Sequence, residues 1–174
     1  ADMAKRVRKL HKQKSMTIDF PRQNKTAKVQ DIYDIGKVLG EGAFSVVRVG
    51  AVKGKPEEKW AVKIVNKRNT NSKQMLEEIN VMAELDHPNL VQYKELFNTY
   101  KDFYVILEYI TGGELFDRII KLRRYTEKHA AETIKDSLNG LKHMHEKGLV
   151  HRDIKPENLL LASEADDAPV KIAD

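Results

Sequence analysis

Apolar and polar residues change their rhythm partway along the chain. From Asp31, the residues Tyr33, Ile35, Val38 and Leu39 lead into a pair of glycines, after which Val46, Val47, Val49, Ala51 and Val52 follow. This spacing predicts two strands around a turn. Lys53-Gly54-Lys55-Pro56-Glu57-Glu58 is a breaker-rich loop, and Trp60-Ala61-Val62-Lys63-Ile64-Val65 is a third strand. A helix is predicted over 72–85. His87-Pro88-Asn89 stops it, because proline disfavours helical geometry in the residue before it. Two more strands are predicted near 90–97 and 103–109, the second running into Gly112-Gly113.

Beyond those glycines the helical period takes over. A short helix is predicted from Glu114 to Leu122 and a long one from Glu127 to Lys147. In the long one Ala130, Ile134, Leu138, Leu141 and Met144 recur by four or three, a single buried stripe. Thr126 is its expected N-cap and Gly148 its expected C-terminal stop. At the end, Val170 and Ile172 alternate with Lys171 and Ala173, so a last strand delivers Asp174. The pattern is α+β: five strands with one helix, then a mainly helical region, forming two lobes that meet near 108–113. The expected division is 1–30 as a basic, disordered extension, 31–107 as the first lobe, 108–113 as the connector and 114–174 as part of a second lobe.

Charge changes the picture only at the start of the chain. The net charge is +5, yet residues 1–28 hold nine Lys/Arg against Asp2 and Asp19, a balance of +7 that leaves −2 for the rest. The run Lys5-Arg6-Val7-Arg8-Lys9-Leu10-His11-Lys12-Gln13-Lys14 suits a solvated extension first, and acidic lipid, nucleic acid or an import receptor second. It lacks the interleaved aromatics of a nucleic-acid reader, so nucleic acid is not the expected partner. With 41% hydrophobic and 33% charged residues, the composition is that of a folded chain. No apolar run approaches the ~18 residues of a membrane span, and charges stand where a signal peptide would be apolar. A cytoplasmic location is expected, with the basic run offering a route to the nucleus. The absence of cysteine rules out disulfides, thiolate catalysis and cysteine-based zinc sites.

Three stretches carry candidate chemistry. Gly40-Glu41-Gly42-Ala43-Phe44-Ser45-Val46-Val47 could cradle phosphates through backbone amides, and a plain tight hairpin explains its two glycines equally well. No helix follows it as a dinucleotide fold requires, and no Gly-Lys-Ser/Thr is present as a Walker loop requires. In the 72–85 helix, at about 100° per residue, Glu78 falls inside the arc of Met75, Ile79, Met82, Leu85 and Val81, whereas Glu77 falls outside it. A carboxylate there calls for a cation, and Lys63 on the preceding strand is the candidate. The densest stretch is His151-Arg152-Asp153-Ile154-Lys155-Pro156-Glu157-Asn158, wedged between Leu149-Val150 and Leu159-Leu160-Leu161. Flanking strands would fix this loop as a site of placed groups requires.

In this order the pieces resemble the signature set of protein kinases: glycine-rich loop, strand lysine, helix glutamate, catalytic loop and metal-binding aspartate. The resemblance runs from about Tyr33 to Asp174. Lys155-Pro156-Glu157-Asn158 looks like the serine/threonine form of the catalytic loop. Gly40-Glu41-Gly42-Ala43-Phe44-Ser45 and Gly112-Gly113-Glu114-Leu115-Phe116-Asp117 look like the calcium/calmodulin-dependent group. It implies a five-stranded antiparallel N-lobe with helix C, followed by the first, mainly helical part of the C-lobe.

The resemblance also implies roles. Gly40, Glu41 and Gly42 would cover the ATP phosphates, and Lys63 would contact the α and β phosphates, held by Glu78. Leu39, Val47, Ala61 and Leu160 would sandwich adenine, with Glu108 and Ile110 bonding the base through their backbones and Leu107 limiting access behind it. Asp153 would orient the substrate hydroxyl and accept its proton, Lys155 would stabilise the transferring group, and Asn158 and Asp174 would ligate Mg²⁺. Glu114 and Glu157 would attract basic residues upstream of the phosphoacceptor. Ser45 stands where many kinases have a third loop glycine, as is common in this group. After Asp174 the family continues with Phe-Gly, an activation segment and a substrate platform. The 174 residues alone are therefore expected to bind nucleotide weakly or not at all and to transfer phosphate at background rate. Calmodulin would act through sequence not present here. The rival reading is a non-catalytic, pseudokinase-like binding module, and the joint presence of Lys63, Asp153, Asn158 and Asp174 argues against it.

Overall fold

The computed structural model describes residues 19–43, 45–121 and 125–173. The basic run 5–14, Phe44, Leu122 and Asp174 lie outside the described residues. The chain opens with a two-residue strand β1 (Gln23–Asn24) and a one-turn helix α1 (Val29–Ile32), then builds β2 (Tyr33–Glu41), β3 (Ser45–Val52) and β4 (Lys55–Asn66). Helix α2 (Ser72–Glu84) precedes β5 (Tyr93–Asn98) and β6 (Asp102–Glu108). The sheet runs β1-β5-β6-β4-β3-β2. Its last five members are the expected antiparallel strands, and β1 adds to the edge in parallel, Gln23 opposite Leu96 and Asn24 opposite Phe97.

The segment before Asp31 departs from the sequence reading. Residues 19–30 were expected to be part of a disordered extension, yet Phe20 and Val29 are buried. Phe20 packs on Phe103 with ring centroids 5.4 Å apart, and Val29 joins Tyr33, Val62, Phe97 and Ile106 on the opposite sheet face. Isolated apolar residues in a basic stretch have no periodicity, so only the sheet they fold onto reveals them. A smaller departure lies at 53–58, where Lys55 already begins β4. Gly54, at φ +79°, makes a tight turn, and the pairing slips between Ala51 and Val52 to accommodate the Pro56 segment.

Alternation in β4 assigns its two faces. Val62 and Ile64 point to the Val29 side, whereas Val65 points to the core beneath α2 with Met75, Ile79, Leu96, Phe103 and Val105. Ala61 and Lys63 share that second face by the period of two. α2 begins at Asn71, whose side-chain oxygen accepts the Gln74 N–H at 2.7 Å.

The second lobe contains α3 (Leu115–Lys121), α4 (Glu127–Glu146), a 3₁₀ turn (Pro156–Asn158) and a hairpin of β7 (Leu159–Leu161) with β8 (Val170–Ile172). Thr126 caps α4 by accepting the His129 N–H at 3.2 Å, and Gly148 ends it at φ +73°. The expected apolar stripe is only half covered. Met144 is buried against Leu90 and Ile172, but Ile134 and Leu138 remain exposed. Periodicity defines a face of a helix, and what lies against that face is a tertiary matter. Leu149-Val150, expected as a strand flanking the 151–158 loop, forms none, and Val150 is exposed.

The lobes are stitched together by the turn after α2. Asn89 accepts the Ile172 N–H at 2.9 Å and donates its side-chain N–H to the Val170 carbonyl at 2.8 Å, while Val91 N–H donates to Ile172 O at 3.0 Å. Among the described residues no helix is long and apolar enough to cross a membrane.

Candidate active site

The β2–β3 hairpin carries the glycine pair. Gly40 pairs with Val47, and the Gly42 N–H closes the tip by donating to Ser45 O at 2.8 Å. That amide is engaged inside the turn. Leu39 precedes the tip and is exposed, and Ala61 lies on β4 opposite Leu107 of β6.

Lys63 sits mid-sheet, paired with Val47 on one side and Val105 on the other, and its side chain is 15% exposed. Its Nζ is 3.8 Å from Glu78 Oε1 on α2. The structure brings together the pair that the sequence suggested, although the premise needs correction. Only Met75 and Ile79 of α2 are buried, and Glu78 lies at the edge of the stripe with its side chain 50% exposed. Such a pair contributes about 0–1 kcal/mol to stability, so its value lies in where it holds the ammonium.

The connector from β6 is anchored to β7. Gly112 N–H donates to Leu161 O at 3.0 Å, Leu161 N–H donates to Gly113 O at 2.9 Å, and Glu114 bridges to Leu160. These bonds set Leu160 directly beyond the connector that carries Glu108 and Ile110. The Glu108 N–H is committed to Gln92 O at 2.8 Å, so any contact Glu108 makes with a base goes through its carbonyl.

The densest set of placed polar groups is on the loop 149–158. Asp153 Oδ2 receives Lys155 Nζ at 2.9 Å and Asn158 Nδ2 at 3.2 Å, and Asn158 Nδ2 also donates to Asp153 O at 2.8 Å. Asp153 N–H points to His151 Nδ1 at 3.3 Å, and His151 Nε2 lies 3.2 Å from Ala173 O. Ala173 N–H donates to Asn158 O at 2.9 Å, which ties the loop to the residue before Asp174. The hydrogen bond from Lys155 is the main reason that the Asp153 carboxyl is held below the usual carboxylate range, with the Lys155 charge and Asn158 adding to it. Arg152 holds a left-handed backbone, φ 65°, a costly conformation for a residue with a Cβ and one that concentrates at functional sites. Glu157 lies in the 3₁₀ turn.

Asn158 is buried, and both of its side-chain bonds use the amide nitrogen. The carbonyl oxygen is then the end suited to a hard cation, so the residue fits a Mg²⁺ ligand; its expected partner Asp174 lies outside the described residues. Among the described residues no three His, Asp or Glu side chains gather as a metal cluster.

Sequence reasoning missed one polar element of the site. Lys171, read as the outward residue of an alternating strand, is buried and reaches Glu108 Oε2 at 3.0 Å. All three residues of β8 are covered, so alternation carries no signal there.

Comparisons with known proteins bear on the family. The protein kinase domain matches residues 33–174. The chain is 43% identical over 154 residues to calcium/calmodulin-dependent protein kinase type 1 of Macrobrachium nipponense, covering 87% of this chain and 45% of that protein. It is 43% identical to the human calcium/calmodulin-dependent protein kinase type IV, over 84% of this chain and 30% of the relative. It is 39% identical to myosin light chain kinase A of Dictyostelium discoideum, over 84% of this chain and 50% of the relative. The chain thus spans half or less of these relatives' length. With the strand lysine paired to a helix glutamate and an aspartate, lysine and asparagine gathered on one loop, the chain belongs to the protein kinase domain family, in the calcium/calmodulin-dependent serine/threonine kinase group.

Proposed function

We propose that these residues form the nucleotide-binding and catalytic-loop part of an enzyme that transfers the γ-phosphoryl group of ATP to serine or threonine hydroxyls of proteins. The observation that carries this reading is the Asp153 carboxylate gripped by Lys155 and Asn158. An acceptor hydroxyl that hydrogen-bonds to Asp153 is oriented for in-line attack. Its oxygen bonds to phosphorus as the bond to the ADP oxygen breaks, and its proton passes to the carboxylate. Because the Lys155 hydrogen bond lowers its basicity, the carboxylate orients first and takes the proton late. Lys155 then offsets charge on the equatorial oxygens, and Lys63, braced by Glu78, holds the α and β phosphates. The backbone of Gly40, Glu41 and neighbouring residues covers them. Leu39, Val47, Ala61 and Leu160 enclose adenine, with Glu108 and Ile110 bonding its edge and Leu107 behind it. Asn158 and Asp174 would hold Mg²⁺, which would supply neutralisation of the phosphate charge. Glu114 and Glu157 give the substrate preference: basic residues upstream of the acceptor.

Because the chain covers 45% and 30% of the first relatives, the activity is proposed for a longer protein, with calmodulin control residing in its remaining length. The 174 residues alone bind nucleotide weakly or not at all and transfer phosphate at background rate. The test is peptide phosphorylation with Mg·ATP by the full-length protein and by the 174-residue polypeptide. Transfer by the full-length protein that vanishes in Lys63→Met and Asp153→Asn supports the reading. Transfer that survives both substitutions, or equal transfer by the short form, overturns it.

A further inference from the structure

Residues 19–24 lie outside the stretch that matches the kinase domain, which begins at residue 33, yet they make specific contacts with α2 and the β5 edge. Phe20 is buried in the same cluster as Met75 and Ile79, the two buried residues of α2. Arg22 Nη1 donates to Tyr93 O at 2.7 Å, and Arg22 Nη2 reaches Ala83 O in the last turn of α2 at 3.4 Å. Tyr93 OH donates to Pro21 O at 2.5 Å, and Leu96 N–H donates to Arg22 O at 3.2 Å. The guanidinium also lies over the Tyr93 ring, 5.6 Å from its centroid.

Two readings of this segment compete. A cover for the exposed edge of β5 would need only the strand pairing of Gln23 and Asn24. It would not need an aromatic side chain under the helix, nor a cation at the helix's end. α2 has no basic residue of its own in its last turn, and Arg22 brings a positive charge to the Ala83 carbonyl, one of those that the helix leaves without an intrahelical partner. The segment therefore acts on α2 as well as on the sheet edge.

We propose that Phe20 and Arg22 form an N-terminal strap that positions α2, and through it holds Glu78 within reach of Lys63. The inference rests on the reading of Lys63 and Glu78 as the phosphate-holding pair. Glu78 stands three residues from Met75 and next to Ile79, so a shift of the helix face that Phe20 supports moves the carboxylate directly. At 3.8 Å the Lys63–Glu78 contact is already long, and a displacement of a few tenths of an ångström takes it beyond ion-pair distance. Phe20 and Arg22 are positioning residues: neither touches the cleft.

Hydrogen exchange tests the strap without any nucleotide, so its outcome is separate from that of the kinase reading. In Phe20→Ala, amides of α2 (72–84) are expected to exchange about tenfold faster while those of α4 (127–146) keep their rates, and Phe20→Leu restores most of the protection. Arg22→Gln, which leaves the apolar contact in place, gives the same pattern in weaker form and carries the test if Phe20→Ala does not fold. In the full-length protein either variant lowers kcat about tenfold with the KM for peptide unchanged. Unaltered exchange in α2, or faster exchange in α2 and α4 alike, overturns the strap. If exchange responds as expected but Lys63→Met leaves phosphoryl transfer intact, the kinase reading fails and the strap stands as a structural element only.

Discussion

Lys171 Nζ lies 3.0 Å from Glu108 Oε2, joining the strand that leads to Asp174 to the end of the strand that leads into the connector. The Lys171 side chain is 10% exposed and that of Glu108 30%. The same carboxylate oxygen accepts the Gln92 N–H at 3.2 Å, while Gln92 Nε2 donates to the His87 and Leu90 carbonyls. Glu108 is thus the meeting point of the connector, the turn after α2 and β8.

Removing one partner leaves a partly covered charge. Lys171→Met is expected to destabilise the fold by about 2 kcal/mol, below the ~3–5 kcal/mol of a fully buried pair because Glu108 retains some water. The double variant Lys171→Met/Glu108→Leu should recover much of this loss. Urea unfolding of the four proteins in the cycle measures the coupling, and additive losses would show that the two side chains do not act as a pair.

The Lys63–Glu78 pair behaves differently, since one partner is half exposed. Glu78→Gln should leave stability within about 0.5 kcal/mol, yet lower phosphoryl transfer by the full-length protein about a hundredfold. Thermal unfolding and peptide phosphorylation on the same preparations separate the two effects. A large drop in stability with unchanged transfer would reverse the assignment.

What the sequence disclosed follows from the range of its signals. The period of two and the period of 3.6 located the five antiparallel strands, α2 and α4, and local chemistry located the Thr126 cap and the Gly148 stop, all of which depend on neighbours in the chain. The Lys63–Glu78 pairing was legible because a helix adjacent in sequence carried the carboxylate. Phe20 and Val29 were not, because residues distant in the chain, such as Phe103 for Phe20 and Ile106 for Val29, cover them and their basic surroundings read as solvated. Lys171 was misread for a related reason: its strand is covered on both faces, and only the folded chain reveals Glu108 as its counter-charge. Ile134 and Leu138 err in the opposite direction, being periodic yet exposed.

Asp153 makes the cleft pH-dependent in a defined direction. Its carboxyl is held below the ordinary value chiefly by the Lys155 hydrogen bond. A depressed folded-state value means that the favourable interaction is fully present above the unfolded-state value and is lost as pH falls through the folded one. Lys155→Met should therefore move the Asp153 titration upward, and the acid limb of the full-length protein's pH–rate profile with it. Carboxyl-carbon NMR of the variant reads the shift directly; an unmoved titration would mean that Lys155 does not hold Asp153 in solution.

The connector offers the sharpest steric test. A Cβ built on Gly112 would stand 2.1 Å from Ser163 O and 2.5 Å from Leu161 O, both backbone atoms that cannot swing aside. Two hydrogen bonds between residues 112–113 and Leu161 hold the connector at that distance, so the strand bearing Leu160 and the segment bearing Ile110 must part for any side chain to fit. Gly112→Ala should cost about 1–3 kcal/mol and weaken nucleotide binding by the full-length protein, because adenine is expected between these two elements. Gly36→Ala is the control: its nearest neighbour would be Val49 O at an ordinary 3.6 Å, away from the connector. Thermal unfolding of both variants, alongside titration with a fluorescent ATP analogue, decides the matter. If Gly112→Ala matches Gly36→Ala in both, the connector does not rest on β7, and Leu160 loses its proposed place beneath the base.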